Sequence, residues 1–176
     1  LTQRGSSITA AVHGLAVSSD GTTVGYIVGD GTNATAGAYD WDGTSWVQRP
    51  EVTFASTLNP GNVLNDTFQC ELSGDGSMLV VSDYSNNFVT SYKYLDGAWT
   101  EFPVNWLLDH TGTEFGKSIS LDSYGTSLVV GDPTATNSTY SDNAWGAVLV
   151  FQLVDNSFDS KNWSLAASLC SDLISY

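Results

Sequence analysis

"EFGKSISLDSYGTSLVVGDP", residues 114–133, alternates apolar and polar side chains, turns at a glycine and closes on an apolar run ending at Asp132 and Pro133. The fold is decided by the recurrence of this phrase. Residues 71–83, "ELSGDGSMLVVSD", and residues 15–30, "LAVSSDGTTVGYIVGD", carry the same alternation, the same Gly-centred turn and the same closing Asp. The turn glycines Gly21, Gly76 and Gly125 are spaced by about 50 residues, the period of a supersecondary unit stacked on copies of itself.

Each unit predicts four antiparallel strands. The first carries an inward apolar pair, Leu15 with Val17, Cys70 with Leu72, and Ile119 with Leu121, alternating as one sheet face requires. "SSDGT", "SGDGS" and "DSYGT" then place Gly where a positive φ is needed. The second strands, "TVGYIVGD", "MLVVSD" and "SLVVGD", are nearly all apolar and suit strands buried on both faces. Third strands follow in "AGAYDWD", "NFVTSYKYL" and "WGAVLVFQL". Turns at "DGTSW" and "DGAW", and the longer "VDNSFDSKNW", open fourth strands on Trp46, Trp99 and Trp163. Pro50 and Pro103 fit an outer strand that does not donate every ladder hydrogen bond.

Four strands per period, from buried to polar-edged, predict an all-β fold. The expected architecture is a β-propeller-like array of about three four-stranded antiparallel blades in a single repeat domain, open to being part of a larger propeller. "LTQR" at the start aligns with "WVQR" at Trp46, so residues 1–8 read as an edge strand of a preceding blade. Blade one is expected over 9–53, blade two over 54–107 and blade three over 108–176. Three blades do not close a ring, so the expected partners are copies of the chain or other blades of a longer one.

Composition narrows the function classes. Five basic against nineteen acidic residues give a formal charge of −14, which repels a phosphate backbone and argues against nucleic acid. No stretch approaches the roughly 18 apolar residues of a membrane span. The first residues carry neither an initiator Met nor a signal-like apolar block, which reads as a processed or excised chain.

"FG" at Phe115 and Gly116, followed by "LVVGDP" and by "GAVLVF" from Gly146, resembles the FG-GAP repeat of integrin-α-like propellers. Blades one and two lack the literal FG pair, and the resemblance runs along the chain as degenerate repeats. It implies a propeller, and it raises calcium, because integrin-type blades often hold that ion on alternating Asp or Asn oxygens before a Gly. "DGTNATAG" and "DPTATNSTYSDN" lack those alternating carboxylates. No cofactor is therefore expected, and Asp30, Asp83 and Asp132, which close the second strands, are only weak metal candidates beside an Asx-turn role.

His13 and His110 lack a partner motif for acid–base or nucleophilic work. Cys70 takes an inward position and reads as a small core side chain, while Cys170 follows strand four and is the candidate exposed thiol. Asn33, Asn65, Asn137 and Asn162 each begin an Asn-x-Ser/Thr sequon, which makes N-linked glycans expected partners. Trp46, Trp99 and Trp163 recur at one repeat position and read as packing between blades. Trp41, Trp106 and Trp145 do not recur and are weak candidates for a ligand or partner contact.

No catalytic constellation is legible, so the sequence reads as a non-enzyme. The expected role is a non-catalytic secreted glycoprotein, a structural or adhesive component of an extracellular or cell-surface assembly such as a filament. A lectin-like propeller that binds extracellular carbohydrate is the alternative. An extracellular hydrolase with site residues dispersed among blades is the third reading.

Overall fold

The apolar alternation resolves into three antiparallel sheets in the computed structural model, which describes residues 2–8, 12–29, 33–55, 67–104, 114–135, 146–154 and 162–170. Blade one contains β1 (Val12–Val17), β2 (Thr23–Gly29) and β3 (Asn33–Trp41), with a fourth strand broken into β4 (Trp46–Gln48) and β5 (Val52–Ala55). Both pieces pair with β3. The break falls at Pro50, whose missing N–H interrupts the ladder at an outer edge. Blade two is β6 (Phe68–Leu72), β7 (Met78–Asp83), β8 (Phe88–Leu95) and β9 (Ala98–Pro103). Blade three is β10 (Ser118–Leu121), β11 (Ser127–Asp132), β12 (Ala147–Val154) and β13 (Asn162–Cys170). Strand order within each blade follows the chain. The first strands of neighbouring blades lie together, β6 touching both β1 and β10.

One local device makes all three hairpins between first and second strands. Gly21, Gly76 and Gly125 sit at φ +70°, +69° and +69°, and each donates its N–H three residues back, to Ser18, Ser73 and Asp122. In blades one and two a carboxylate at the turn's third position gathers the loop: Asp20 accepts from the Thr22 N–H and the Ser18 hydroxyl, and Asp75 from the Ser77 N–H and the Ser73 hydroxyl. Blade three moves the carboxylate to the turn's first position. Asp122 there accepts from the N–H groups of both Thr126 and Ser127, which frees the third position for the exposed Tyr124. The turns also touch one another, since Ser19 N–H donates to the Gly74 carbonyl at 2.9 Å and Gly74 N–H to the Ser123 carbonyl at 2.7 Å.

Each interface between blades buries one face of one sheet against the opposite face of the next. Between blades one and two, Ile27, Ala34 and Ala36 meet Cys70, Leu72, Leu79 and Val81. Small residues allow the approach: a Cβ on Gly14 would lie 2.6 Å from Ile27 Cγ2 and 3.2 Å from Cys70 Cβ. Between blades two and three, Met78, Val80 and Val89 meet Leu128, Val130, Leu149 and Phe151, with Ile119 and Leu121 packed alongside.

The predicted inward pair of blade one departs from this pattern. Leu15 and Val17 are 65% and 60% exposed, whereas Cys70 and Leu72, at the same repeat positions, are each 6% exposed. The cause lies in the stacking. This face of a first strand turns towards the preceding blade, of which the described residues supply only 2–8.

Candidate functional site

Residues 2–8 repeat part of blade one's fourth strand in their contacts as well as in their letters. Arg4 Nη1 donates to the Gly21 carbonyl at 2.9 Å, and Arg49 Nη1 donates to the Gly76 carbonyl at 2.6 Å. Trp46 Nε1 donates to the Arg4 carbonyl at 3.0 Å, and Trp99 Nε1 to the Pro50 carbonyl at 2.7 Å. The Arg4 guanidinium lies 5.7 Å from the Trp41 ring; that of Arg49 lies 4.3 Å from Tyr94 and 5.5 Å from Trp99. Trp163 links blades two and three differently, donating to the hydroxyl Oγ of Ser91 on β8 at 2.8 Å. Strand-four tryptophans and "QR" arginines therefore staple successive blades. Trp41 belongs to this staple, its ring 5.3 Å from Trp46 and against Gly5, so its contact is with the chain itself.

Arg49 also forks onto Asp40, Nε and Nη2 each donating at 2.7 Å. Burial alone would raise the Asp40 carboxyl, but the hydrogen bonds from Arg49 and Thr23 outweigh it and hold the group below the usual carboxylate range. The turn carboxylates are likewise engaged. Backbone and hydroxyl donors from residues 18 and 22 hold Asp20 low, and for Asp75 and Asp122 such donors overcome the opposing effect of burial. These groups build turns rather than a reactive centre.

The three carboxylates proposed for metal are not assembled into a cation site in the described part of the molecule. Asp30 lies outside the described residues. Asp83 and Asp132, both about 1% exposed, end second strands in neighbouring blades. Each folds back on its own turn: Asp83 accepts from the Ser85 N–H and from the Ser85 and Asn86 side chains, and Asp132 from the Thr134 N–H and hydroxyl. Among the described residues no group of three His, Cys, Asp or Glu side chains is placed to hold a metal ion.

Asn33 opens β3 at an exposed position, and Asn162 opens β13. Asn65, Asn137, Trp106, Trp145 and His110 lie outside the described residues, and of Cys170 only its place at the end of β13 is described. Cys70 sits in the core between blades one and two, and burial drives its thiol far above the usual value. His13 packs against Phe68 in a tilted contact, ring centroids 5.7 Å apart, at the rim of blade one.

One titratable group stands out on the first strands. β6 alternates buried Phe68, Cys70 and Leu72 with half-buried Gln69 and Glu71. Glu71 pairs with Val80, and Val80 packs against blade three, so Glu71 lies on the face of β6 turned towards β10. Burial raises its carboxyl above the ordinary value. No hydrogen bond or ion pair to its side chain is found among the described residues. The sequence concealed this group, because an acid alternating with apolar residues in a strand reads as a solvated face. The arginine staples were visible only as the repeated "QR".

No protein-family model and no curated protein matches this chain. Solved structures do. A protein from Lactobacillus plantarum superimposes with a TM-score of 0.59 at 14% identity over 90% of this chain and 41% of its own. A proposed 6-phosphogluconolactonase from Bacteroides fragilis gives 0.55 at 18% identity over 89% and 38%. Another from Bacteroides uniformis gives 0.50 at 10% identity over 89% and 40%. The architecture is of the β-propeller type. The chain spans about two fifths of the length of these structures. They also correct the expected role. The propellers named for an activity are proposed lactonases, which turns the reading away from a non-catalytic secreted structural or adhesive glycoprotein. Among the described residues no helix is long and apolar enough to cross a membrane.

Proposed function

We propose that the chain is a three-blade portion of a propeller hydrolase that opens a cyclic sugar ester, with Glu71 as its proton-transfer group. The observation that carries this reading is the half-buried carboxyl of Glu71 on a first strand of the middle blade, without a side-chain partner among the described residues and with a pKa raised by desolvation. A carboxyl shifted upward in this way is the kind of group that general acid–base work uses. The names of the two proposed 6-phosphogluconolactonases support the reaction class.

In the hydrolysis, ionised Glu71 takes a proton from a water whose oxygen attacks the lactone carbonyl. The ring C–O bond then breaks, and the departing ring oxygen receives that proton from Glu71, leaving a hydroxy acid. Gln69, two residues along the same face of β6, can donate an amide N–H to the carbonyl oxygen as it gains charge. The substrate is better uncharged than phosphorylated. A chain of net charge −14 with five basic residues repels a phosphate, and Arg4 and Arg49 are committed to blade staples.

The test follows proton release as glucono-δ-lactone and its 6-phosphate open in weakly buffered solution, with the purified chain and with Glu71→Gln. Acceleration over the spontaneous reaction, greater for the uncharged lactone and lost in the variant, is expected. No acceleration, or equal rates for wild type and variant, overturns the reading.

A further inference from the structure

Five Asp-Gly pairs punctuate the chain, and the fold holds the described ones unequally. Asp30 and Gly31 lie outside the described residues. At Asp20-Gly21 and Asp75-Gly76 both partners are engaged. Each carboxylate accepts from a serine hydroxyl and a backbone N–H of its own turn, and each glycine N–H donates at 2.9 Å to the carbonyl three residues back. Asp42 accepts from the N–H groups and the hydroxyls of both Thr44 and Ser45 at 2.7–3.0 Å, and these donors hold its carboxyl far below the ordinary range.

Asp96-Gly97 is built otherwise. These two residues form the whole turn between β8 and β9, with Leu95 and Ala98 paired on either side. Their φ angles are +51° and +83°, the left-handed pair that a two-residue hairpin of this hand demands. That conformation is uphill for a residue with a Cβ. Both residues are exposed. No hydrogen bond or ion pair to the Asp96 carboxylate is found among the described residues. A Cβ built on Gly97 would meet nothing within 4 Å, so no neighbouring atom crowds its amide nitrogen. The carboxyl carbon of Asp96 and the nitrogen that follows it are both open to reaction.

We propose that Asp96 is the site at which the folded chain modifies itself, passing through a cyclic imide to isoaspartate. The Gly97 nitrogen attacks Asp96 Cγ, the N–Cγ bond forms, and the nitrogen's proton leaves with the carboxyl hydroxyl as water. Water then adds to the α-carbonyl of the imide and breaks its bond to nitrogen. The main chain now continues through Cβ and Cγ, and the α-carboxylate is set free. Water is released in the first step and consumed in the second, and no other reactant is needed. At Asp20, Asp42 and Asp75 the turn donors must be given up first, and an ionised carboxylate gripped by them offers no hydroxyl to lose. The product lengthens the main chain by one carbon inside the turn that joins Tyr94 to Trp99, where blade two meets Arg49 and the Pro50 carbonyl. The proposal is independent of the hydrolase reading.

The test warms the full chain in mildly acidic buffer made with heavy-oxygen water, once native and once in urea, and locates the label by peptide-level mass spectrometry. Each opening of the imide leaves one heavy oxygen on the residue that formed it. In the native chain label should enter Asp96 at least about tenfold faster than Asp20, Asp42 or Asp75, because giving up even one hydrogen bond to a carboxylate thins the reactive population by that factor. Part of the labelled Asp96 should resist a protease that cleaves at aspartate, as isoaspartate does. In urea the four rates should converge, since the turns that protect three of the pairs are gone. Label entering any of those three as fast as Asp96, no label at Asp96, or labelled Asp96 that is wholly cleaved overturns the proposal. So does the same spread of rates in urea, since sequence rather than fold would then set the order.

Discussion

Replacing Arg49 with Ala removes the group that ties blade one to blade two at their outer edge, and its contacts set the size of the loss. The side chain is 10% exposed, so its bond to the Gly76 carbonyl is formed away from water. A charged donor on a neutral acceptor contributes about 1.5–3 kcal/mol net. The face-on contact with Tyr94 at 4.3 Å adds about 0.5–2 kcal/mol. The Asp40 side chain is 42% exposed, so solvent screening limits that ion pair to about 0.5–1 kcal/mol. One guanidinium serves all three contacts, and such contributions do not add. The expected loss for Arg49→Ala is therefore about 2–4 kcal/mol. Arg49→Lys keeps the charge but cannot fork onto Asp40 while reaching Gly76, and about 1–2 kcal/mol should be lost. Arg4→Ala breaks the corresponding bond at a solvent-exposed site and should cost under about 1 kcal/mol. Urea unfolding followed by tryptophan fluorescence measures all three. A loss for Arg49→Ala within about 0.5 kcal/mol of zero, or one no larger than that for Arg4→Ala, would refute the staple.

Cys70→Ser puts a hydroxyl into the apolar contact between blades one and two and should destabilise by about 1–3 kcal/mol, with Cys70→Ala milder; urea midpoints test the order. The same burial keeps the thiol protonated, so peptide-level mass spectrometry should find Cys70 unlabelled by iodoacetamide in the native chain and labelled in urea. Gly14→Ala brings a methyl to 2.6 Å from Ile27 Cγ2 and should lower stability by about 1–3 kcal/mol, which a thermal melt would show. Glu71 has a folded-state pKa above its unfolded value of 4.5, so the folded chain binds the extra proton and loses stability as pH rises from that value through the raised folded one; Glu71→Gln should flatten this fall in melts taken upward from pH 4.5. The turn carboxylates run the other way. Asp75 and Asp122 are held low when folded, so their contribution is present above the unfolded value of 3.8 and disappears as pH falls through their folded values; Asp122→Asn should blunt that acid loss in melts taken below about pH 4.

What the sequence disclosed and what it withheld divide along one physical line. Strand alternation, positive-φ glycines and Asp-gathered turns are local, written within five or six residues, and the three hairpins follow from them even where blade three moves its carboxylate from the third turn position to the first. Whether a face is covered is not local. Leu15 and Cys70 hold one repeat position and one apolar character, yet one stands in solvent and the other in a core, because a blade packs against Cys70 and, among the described residues, 2–8 alone lie on the side of Leu15. The candidate site was hidden for a similar reason. Glu71 alternates with Cys70 and Leu72 as a solvated residue would, and only the β6–β10 neighbourhood takes it partly out of water. Arg49 gives the complementary case. Its letters repeat at Arg4, but the reason for the repetition is a carbonyl one blade away, Gly76 for one and Gly21 for the other. A repeat protein thus spells out its unit in full and its junctions only as pairs of matching residues, each meaningful once the neighbouring unit is in place.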